Sequence, residues 1–257
     1  MKVSIITVNY NNIEGLRRTL ESVAIQKSDD YELVIVDGNS SDGAKDMIED
    51  YAENHVNTKW VSEPDRGIYS AMNKGVKMSE GDYCIFMNSG DCFNDENSLI
   101  ESMSYLDGET EIVSGAARFD KCERKAPKPE DLSLTFFVRE SMNHQSTYIK
   151  RTLLLDFPYN EKRKIVGDSE FFFQTMLLKN ASYKQIPVCV SYCEAAGVSG
   201  DLSKSIEERM VAIKELLPPR MAYDVEFIKK YHNPFVLKIG DIAYKGWLRK
   251  IHHLIKK

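Results

Sequence analysis

A short apolar run, Tyr83-Cys84-Ile85-Phe86-Met87, stops abruptly at Asn88-Ser89-Gly90-Asp91. Bounded by Gly81 and Gly90, it has the length and character of a strand buried on both faces, as in a mostly parallel sheet. Such sheets place ligands just beyond the carboxyl ends of their strands. Asp91 would then stand at the rim, in reach of a divalent cation and a phosphate. Taken alone, Ser89-Gly90-Asp91 reads more simply as a turn, since all three are turn residues. What precedes it changes that reading.

The same pattern recurs along the chain. Val3 to Val8 reads as a first strand, followed by the polar loop Asn9-Tyr10-Asn11-Asn12 and a helix from Ile13 to Gln26 with Leu16, Leu20 and Val23 at helical spacing. Leu33 to Val36 is a second buried strand, ended by Asp37-Gly38-Asn39-Ser40-Ser41-Asp42-Gly43. A helix over Ala44 to Glu53, a short strand at Lys59-Trp60-Val61 and a helix from Ile68 to Met78 lead back to the Tyr83 run. This alternation means parallel strands with right-handed crossovers, hence an α/β sheet. Acids then fall at three strand ends: Asp37, Glu63-Pro64-Asp65 and Asp91. Each alone is a solvated turn. Gathered on one sheet edge, they are offset most simply by a bound cation or by hydrogen bonds to a ligand. That favours a nucleotide site. No GxGxxG follows the first strand and no GxxxxGK[ST] occurs, which counts against a dinucleotide dehydrogenase and a P-loop.

With 42% hydrophobic residues in 257, the chain can bury one large core and an appendage. The net charge of −5 comes from mixed acids and bases and leaves no nucleic-acid footprint. No run approaches the ~18 apolar residues of a membrane span. The opening Met1-Lys2-Val3-Ser4-Ile5-Ile6-Thr7-Val8 is too short for a signal-peptide core. Five cysteines without a CxxC pair suggest neither a disulfide framework nor a zinc site, and a reducing cytoplasm is the expected home.

Four segments now stand in order: Val3 to Asn11, Glu32 to Gly43, Ser62 to Gly75 (Ser-Glu-Pro-Asp-Arg-Gly-Ile-Tyr-Ser-Ala-Met-Asn-Lys-Gly), and Asn88 to Asp91. Together they resemble the family 2 glycosyltransferases of GT-A fold, a Rossmann-like sheet shared by nucleotide-diphospho-sugar transferases. The nearest group is the bacterial enzymes that build exopolysaccharide, capsule or O-antigen units. The resemblance implies that Asp37 contacts the uracil or ribose of a nucleotide-sugar donor, with Thr7, Asn9 and Tyr10 lining the pocket. Glu63, Asp65, Asn88 and Ser89 fall on the donor side. Arg66 would help neutralise the diphosphate, and Lys74 either does the same or is a solvated helix residue. Asp91 would hold Mn²⁺ or Mg²⁺. Asn88 and Gly90 stand where many relatives carry Asp, so one carboxylate would share the cation with waters and phosphate.

In Val166-Gly167-Asp168-Ser169-Glu170, the family's Glu-Asp pair is matched with Gly167 in place of Glu. Asp168 is then the catalytic base, unless it merely N-caps the helix and Glu170 takes over. The alternation of His144, Ser146 and Tyr148 fits a strand with one face toward a pocket, and relatives carry a His-Gln here on the acceptor side. Cys122 to Leu132, with Pro127 and Pro129, is the kind of loop that covers an acceptor. Glu194 to Gly200 looks like the family's Gly-Gly-x-Ser loop.

The tail differs. Ser205 to Leu217 has helical periodicity, stopped by Pro218-Pro219. From Phe235 on, apolar residues including Trp247 alternate with lysines and arginines, either a membrane-surface helix or one packed on the domain or on a second subunit of a homodimer. The expected organisation is a GT-A domain over 1–203 and a helical extension over 204–257. The expected function is an inverting, metal-dependent transfer from a nucleotide sugar, a UDP-sugar first, to a saccharide or lipid-linked saccharide in envelope polysaccharide synthesis. The enzyme would be cytoplasmic, with a peripheral position on the inner face of the plasma membrane if the tail binds lipid. Two alternatives stay open. One is an inactive relative serving as a nucleotide-sugar-binding assembly subunit. The other is a sugar-phosphate nucleotidyltransferase, which would want a Gly-rich basic loop where Asn9-Tyr10-Asn11-Asn12 stands.

Overall fold

Three of the apolar runs form the centre of a sheet in the computed structural model, which describes residues 1–120, 122–193 and 202–231. β1 (Val3–Asn9), β2 (Tyr31–Asp37) and β4 (Tyr83–Phe86) are buried at every position. Helices on both sides make that possible. Val3, Ile5, Leu33 and Ile35 pack with Leu16, Leu20 and Val23 of α1 (Ile13–Ala24) and Ile48 of α2 (Ala44–Asn54). Ile6, Val8, Val34 and Val36 point the other way, onto Tyr69, Met72 and Val76 of α3 (Ile68–Met78). The period-two alternation of a strand thus feeds two cores at once.

β3 (Thr58–Ser62) pairs parallel with β2, β2 with β1, and β1 with β4. The register sets Asn9 beside Asp37 and Asp37 beside Ser62, so three polar residues line up on the carboxyl edge. Beyond β4 the sheet turns mixed. β8 (Thr147–Lys150) runs antiparallel to both β4 and β6 (Ile112–Phe119), β9 (Tyr183–Tyr192) is parallel to β6, and β5 (Cys92–Phe93) is antiparallel to β9. The expected parallel sheet is therefore its first half. Parallel pairing needs a long crossover, and α4 (Ser98–Met103) and α5 (Leu134–Arg139) have only six residues each.

Other expectations shift locally. The Cys122 to Leu132 loop contains β7 (Cys122–Arg124), hairpinned to β6, and a 3₁₀ turn at Pro129–Asp131. His144 and Ser146 are not on a strand. They form a 3₁₀ turn closed by Ser146 N donating to Asn143 O at 3.2 Å and Thr147 Oγ1 donating to the same oxygen at 2.7 Å. A side-chain alternative to the ladder wins over the alternation.

After α6 (Arg151–Asp156) and a loop, α7 (Gly167–Phe172) runs on into a π-helical turn, Phe173–Leu178. Pro218-Pro219 does not end the helical tail. α8 (Leu202–Leu216) stops there, but Pro219 opens α9 (Pro219–Tyr231) at the first helical position, where a missing N–H costs nothing. Met210, Ile213, Leu217 and Val225 join the core cluster that holds Tyr69, Met72 and Phe171. The Glu194 to Gly200 segment and the basic stretch from Phe235 lie outside the described residues.

Candidate active site

Asp37 is wholly buried, and four donors take its oxygens. Oδ1 accepts from Asn9 Nδ2 at 2.8 Å and Ser40 Oγ at 2.5 Å; Oδ2 accepts from Ser40 N at 2.9 Å and Ser62 Oγ at 2.7 Å. Burial pushes its pKa up, but these donors outweigh it and hold the carboxyl below the usual range. The expected direct contact with a base or ribose finds no free oxygen here. Asp37 instead ties the loops after β1, β2 and β3 together. Thr7 is likewise sealed inside β1, and Asn9 is nearly so.

The open surface belongs to their neighbours. Tyr10 is 67% exposed, and its ring lies against Gly38. A β-carbon at Gly38 would come within 2.8 Å of Asp65 Oδ2 and 3.0 Å of the Tyr10 ring, so glycine keeps a slot between them. Asp65 Oδ1 also accepts from Gly67 N at 2.8 Å. Gly67 has φ +123°, a conformation that suits glycine. The two expected diphosphate cations are engaged elsewhere: Arg66 with Glu161 and Lys74 with Glu63, each at 2.8 Å.

The loop after β4 is held by a residue that the sequence did not single out. Thr19 of α1 receives Gly90 N at 3.0 Å, and its hydroxyl lies 3.2 Å from Asn88 O and 2.8 Å from Asp91 O. Asn12 Nδ2 adds a bond to Ser89 O at 3.0 Å. In sequence Thr19 is one more polar position in an amphipathic helix, and only the fold brings it under the turn.

Asp91, half-buried, has its pKa pushed up to about 6 by burial, against the pull of His144, Gln145 and Cys193. His144 joins this loop to Asp168. Its Nδ1 donates to Asp168 Oδ2 at 2.9 Å, and its Nε2 lies 3.3 Å from Asn88 Nδ2. Asn88 Oδ1 is buried without a partner among the described residues. A cation beside it, metal or imidazolium, would satisfy that oxygen. Burial lowers the His144 pKa, and the Asp168 and Asp91 carboxylates more than reverse it, giving a net rise.

Asp168 is the second residue of α7, after Gly167, and makes no cap bond; Val166 holds the cap position. Its Oδ1 accepts from Ser169 N at 2.8 Å and from the Tyr69 hydroxyl at 3.2 Å. Burial would raise its pKa, yet His144, Ser169 and Tyr69 together hold it below the usual carboxylate range. Glu170 does not share this place. It accepts from Asn160 Nδ2 at 3.0 Å and from Arg163 Nε at 2.5 Å, a structural ion pair away from Asp168. Residues two apart on a helix do not share a face.

Tyr69 explains Gly167. A β-carbon there would lie 2.8 Å from three carbons of the Tyr69 ring, so no Glu can stand beside Asp168. The Tyr69 ring takes that space, and its single hydroxyl proton is shared between Ile165 O at 2.7 Å and Asp168 Oδ1 at 3.2 Å. The hint in the sequence was the glycine itself.

Among the described residues, no three His, Cys, Asp or Glu side chains gather as a metal site. Asp91 with the orphaned Asn88 oxygen offers two oxygen donors, which suits a hard cation that completes its shell with phosphate and water.

The family model described as Glycosyl transferase family 2 matches residues 4–178. A PGL/p-HBAD biosynthesis glycosyltransferase of Mycobacterium bovis is 28% identical over 205 residues, 77% of this chain and 79% of its own length. An uncharacterised glycosyltransferase of Mycobacterium tuberculosis is 27% identical over 216 residues, 79% of this chain and 82% of its own. Staphylococcus aureus TarS matches with TM-score 0.66 at 20% identity, over 91% of this chain and 44% of TarS, so this chain spans less than half of that protein. The mannosyltransferase PcManGT from Pyrobaculum calidifontis, solved with GDP-Man and Mn²⁺, matches with TM-score 0.66 at 19% identity, over 95% of this chain and 74% of its own. At these identities the two structures share a fold.

Proposed function

The chain belongs to glycosyl transferase family 2, with a GT-A-like α/β fold, and on that premise we propose an inverting transfer from a UDP-sugar to a saccharide or lipid-linked saccharide in envelope polysaccharide synthesis. The observation that carries this reading is Asp168, a carboxylate kept ionised by His144 and Tyr69 and joined through His144 to the loop of Asn88 and Asp91. Asp168 takes the proton of the acceptor hydroxyl as that oxygen attacks the anomeric carbon. The nucleoside diphosphate leaves from the opposite face. A divalent cation on Asp91 would supply charge neutralisation at the leaving diphosphate. Tyr10 and Asp65, at the slot beside Gly38, hold the nucleotide, and Asp37 fixes their loops. A TarS structure in complex with UDP-GlcNAc supports the choice of UDP, and the mycobacterial relative's name supports a role in assembling a glycosylated product.

Among the described residues no helix is long and apolar enough to cross a membrane. A lipid-linked acceptor fits a peripheral enzyme at the cytoplasmic face. The space that the missing Glu would need is taken by the Tyr69 ring. The test is hydrolysis or transfer of a UDP-sugar with Mn²⁺. Asp168→Asn lowers turnover at least about a hundredfold and leaves UDP affinity within about twofold. Equal turnover in the variant overturns the assignment of the base.

A further inference from the structure

The start of α7 is not fixed by its own cap. Asp168 follows a glycine, the residue with most freedom to lose, and Val166 at the cap position makes no side-chain cap bond. The side chain that holds this start comes from α8, beyond the residues that match the family model. Glu208 Oε1 accepts from Lys164 N at 2.9 Å, and its Oε2 accepts from Ile165 N at 2.8 Å and from Val166 N at 3.1 Å. Bonds from amides to a carboxylate are stronger than those to a neutral oxygen.

The same residues are held through their carbonyls. Ile165 O accepts from the Tyr69 hydroxyl at 2.7 Å, and Val166 O accepts from Glu170 N at 2.9 Å. Ile165 and Val166 are thus fixed at both backbone groups, with Asp168 only two residues beyond Val166. The support behind Glu208 is firm. Glu208, the buried Ala212 and Glu215 stand at i, i+4 and i+7, on one face of α8. Glu215 pairs with Arg163, which also pairs with Glu170, and Met210 and Ile213 are buried in the core. The helix is therefore anchored without Glu208, whose carboxylate is left to fix the segment before Asp168.

We propose that Glu208 is a positioning residue for the transfer: by fixing Lys164 to Val166 it sets the Asp168 carboxylate against the acceptor hydroxyl. The proposal rests on Asp168 being the transfer base, and Asp168→Asn is the control that separates the two. Full-length variants are compared well below their melting temperatures, where every chain is folded. Calorimetry gives UDP affinity, and turnover of UDP-glucose and UDP-GlcNAc is followed in Mn²⁺. Glu208→Gln keeps one acceptor oxygen and turns an N–H donor on the backbone, so kcat falls about fivefold. Glu208→Ala loses all three bonds, and kcat falls about fiftyfold. UDP affinity stays within about twofold in both. Glu215→Gln, which removes an ion pair of the same helix face, keeps wild-type kcat. Amide exchange at Ile165 and Val166 quickens at least about tenfold in Glu208→Gln, which decides the matter if Glu208→Ala fails to fold.

A role in stability alone would leave kcat unchanged in the folded variants. That result, unchanged exchange, a loss of UDP affinity as large as that of kcat, or an equal loss in Glu215→Gln overturns the positioning role. If Asp168→Asn keeps full turnover, the base assignment falls and the positioning role with it. If the wild type turns over neither UDP-sugar, the transferase reading falls, and exchange at the two amides alone decides whether Glu208 holds the segment.

Discussion

The base role proposed for Asp168 depends on three neighbours that keep it ionised in a place where burial would protonate it. Two of them can be removed singly. Tyr69→Phe deletes one bond to the carboxylate and leaves Ile165 O without its donor, a loss of about 1–2 kcal/mol in stability and about tenfold in kcat, read by urea unfolding and by transfer rates. His144 acts through charge as well as position. Its folded pKa is raised, so its contribution to stability is present below the unfolded value and is lost as pH rises through the folded one. Asp168, with a depressed pKa, contributes above its unfolded value and loses that contribution as pH falls through the folded one. The pair is strongest between those limits. His144→Gln should therefore shift the acid limb of the kcat–pH profile upward, toward and past the ordinary carboxylate range. A profile whose acid limb stays in place would show that His144 does not tune the base.

At the scale of elements, the loops at the carboxyl edge form one structure rather than three. Thr19 reaches from α1 to the Asn88 to Asp91 turn, accepting from Gly90 N and sharing its one hydroxyl proton between the Asn88 and Asp91 carbonyls. Thr19→Val keeps the shape and removes the hydroxyl, leaving buried groups unsatisfied. It should cost about 2 kcal/mol and weaken UDP binding in Mn²⁺ several-fold, measured by denaturant titration and calorimetry. This half of the molecule was legible in the sequence because each run is short, apolar and bounded, and because α3 falls where its periodicity places it, Ile68 to Met78. The loop that carries Asp91 was legible for the same reason. The other half was not. β6 finds β9 about 70 residues downstream, as Ile112 beside Tyr183, and nothing local encodes that pairing. The His144 turn imitated a strand because His144, Ser146 and Tyr148 stand at every second position. Asp37 was taken for a ligand contact because a strand-end acid looks the same whether it faces solvent or is enclosed by four donors. Tyr69 was not singled out, because a helix-face tyrosine gives no sign that its hydroxyl reaches Asp168.

For the molecule as a whole, the cation role proposed for Asp91 would link folding to ligand binding. Its pKa, raised to about 6, means that the folded chain holds that proton more tightly than the unfolded one. The contribution to stability is greatest below the unfolded carboxylate value and is lost as pH rises through about 6. At neutral pH the fold therefore carries a desolvated, ionised carboxylate at a cost of about 3 kcal/mol. A divalent cation with UDP should relieve it, adding stabilisation by mass action. The melting temperature should thus rise more on adding Mn²⁺ and UDP at pH 7.5 than at pH 5, where protons compete for the same oxygen. Asp91→Asn should raise the melting temperature of the chain without ligands at pH 7.5 and abolish the extra gain from Mn²⁺. A variant that is less stable yet keeps that gain would place the cation on other oxygens and leave Asp91 a structural acid.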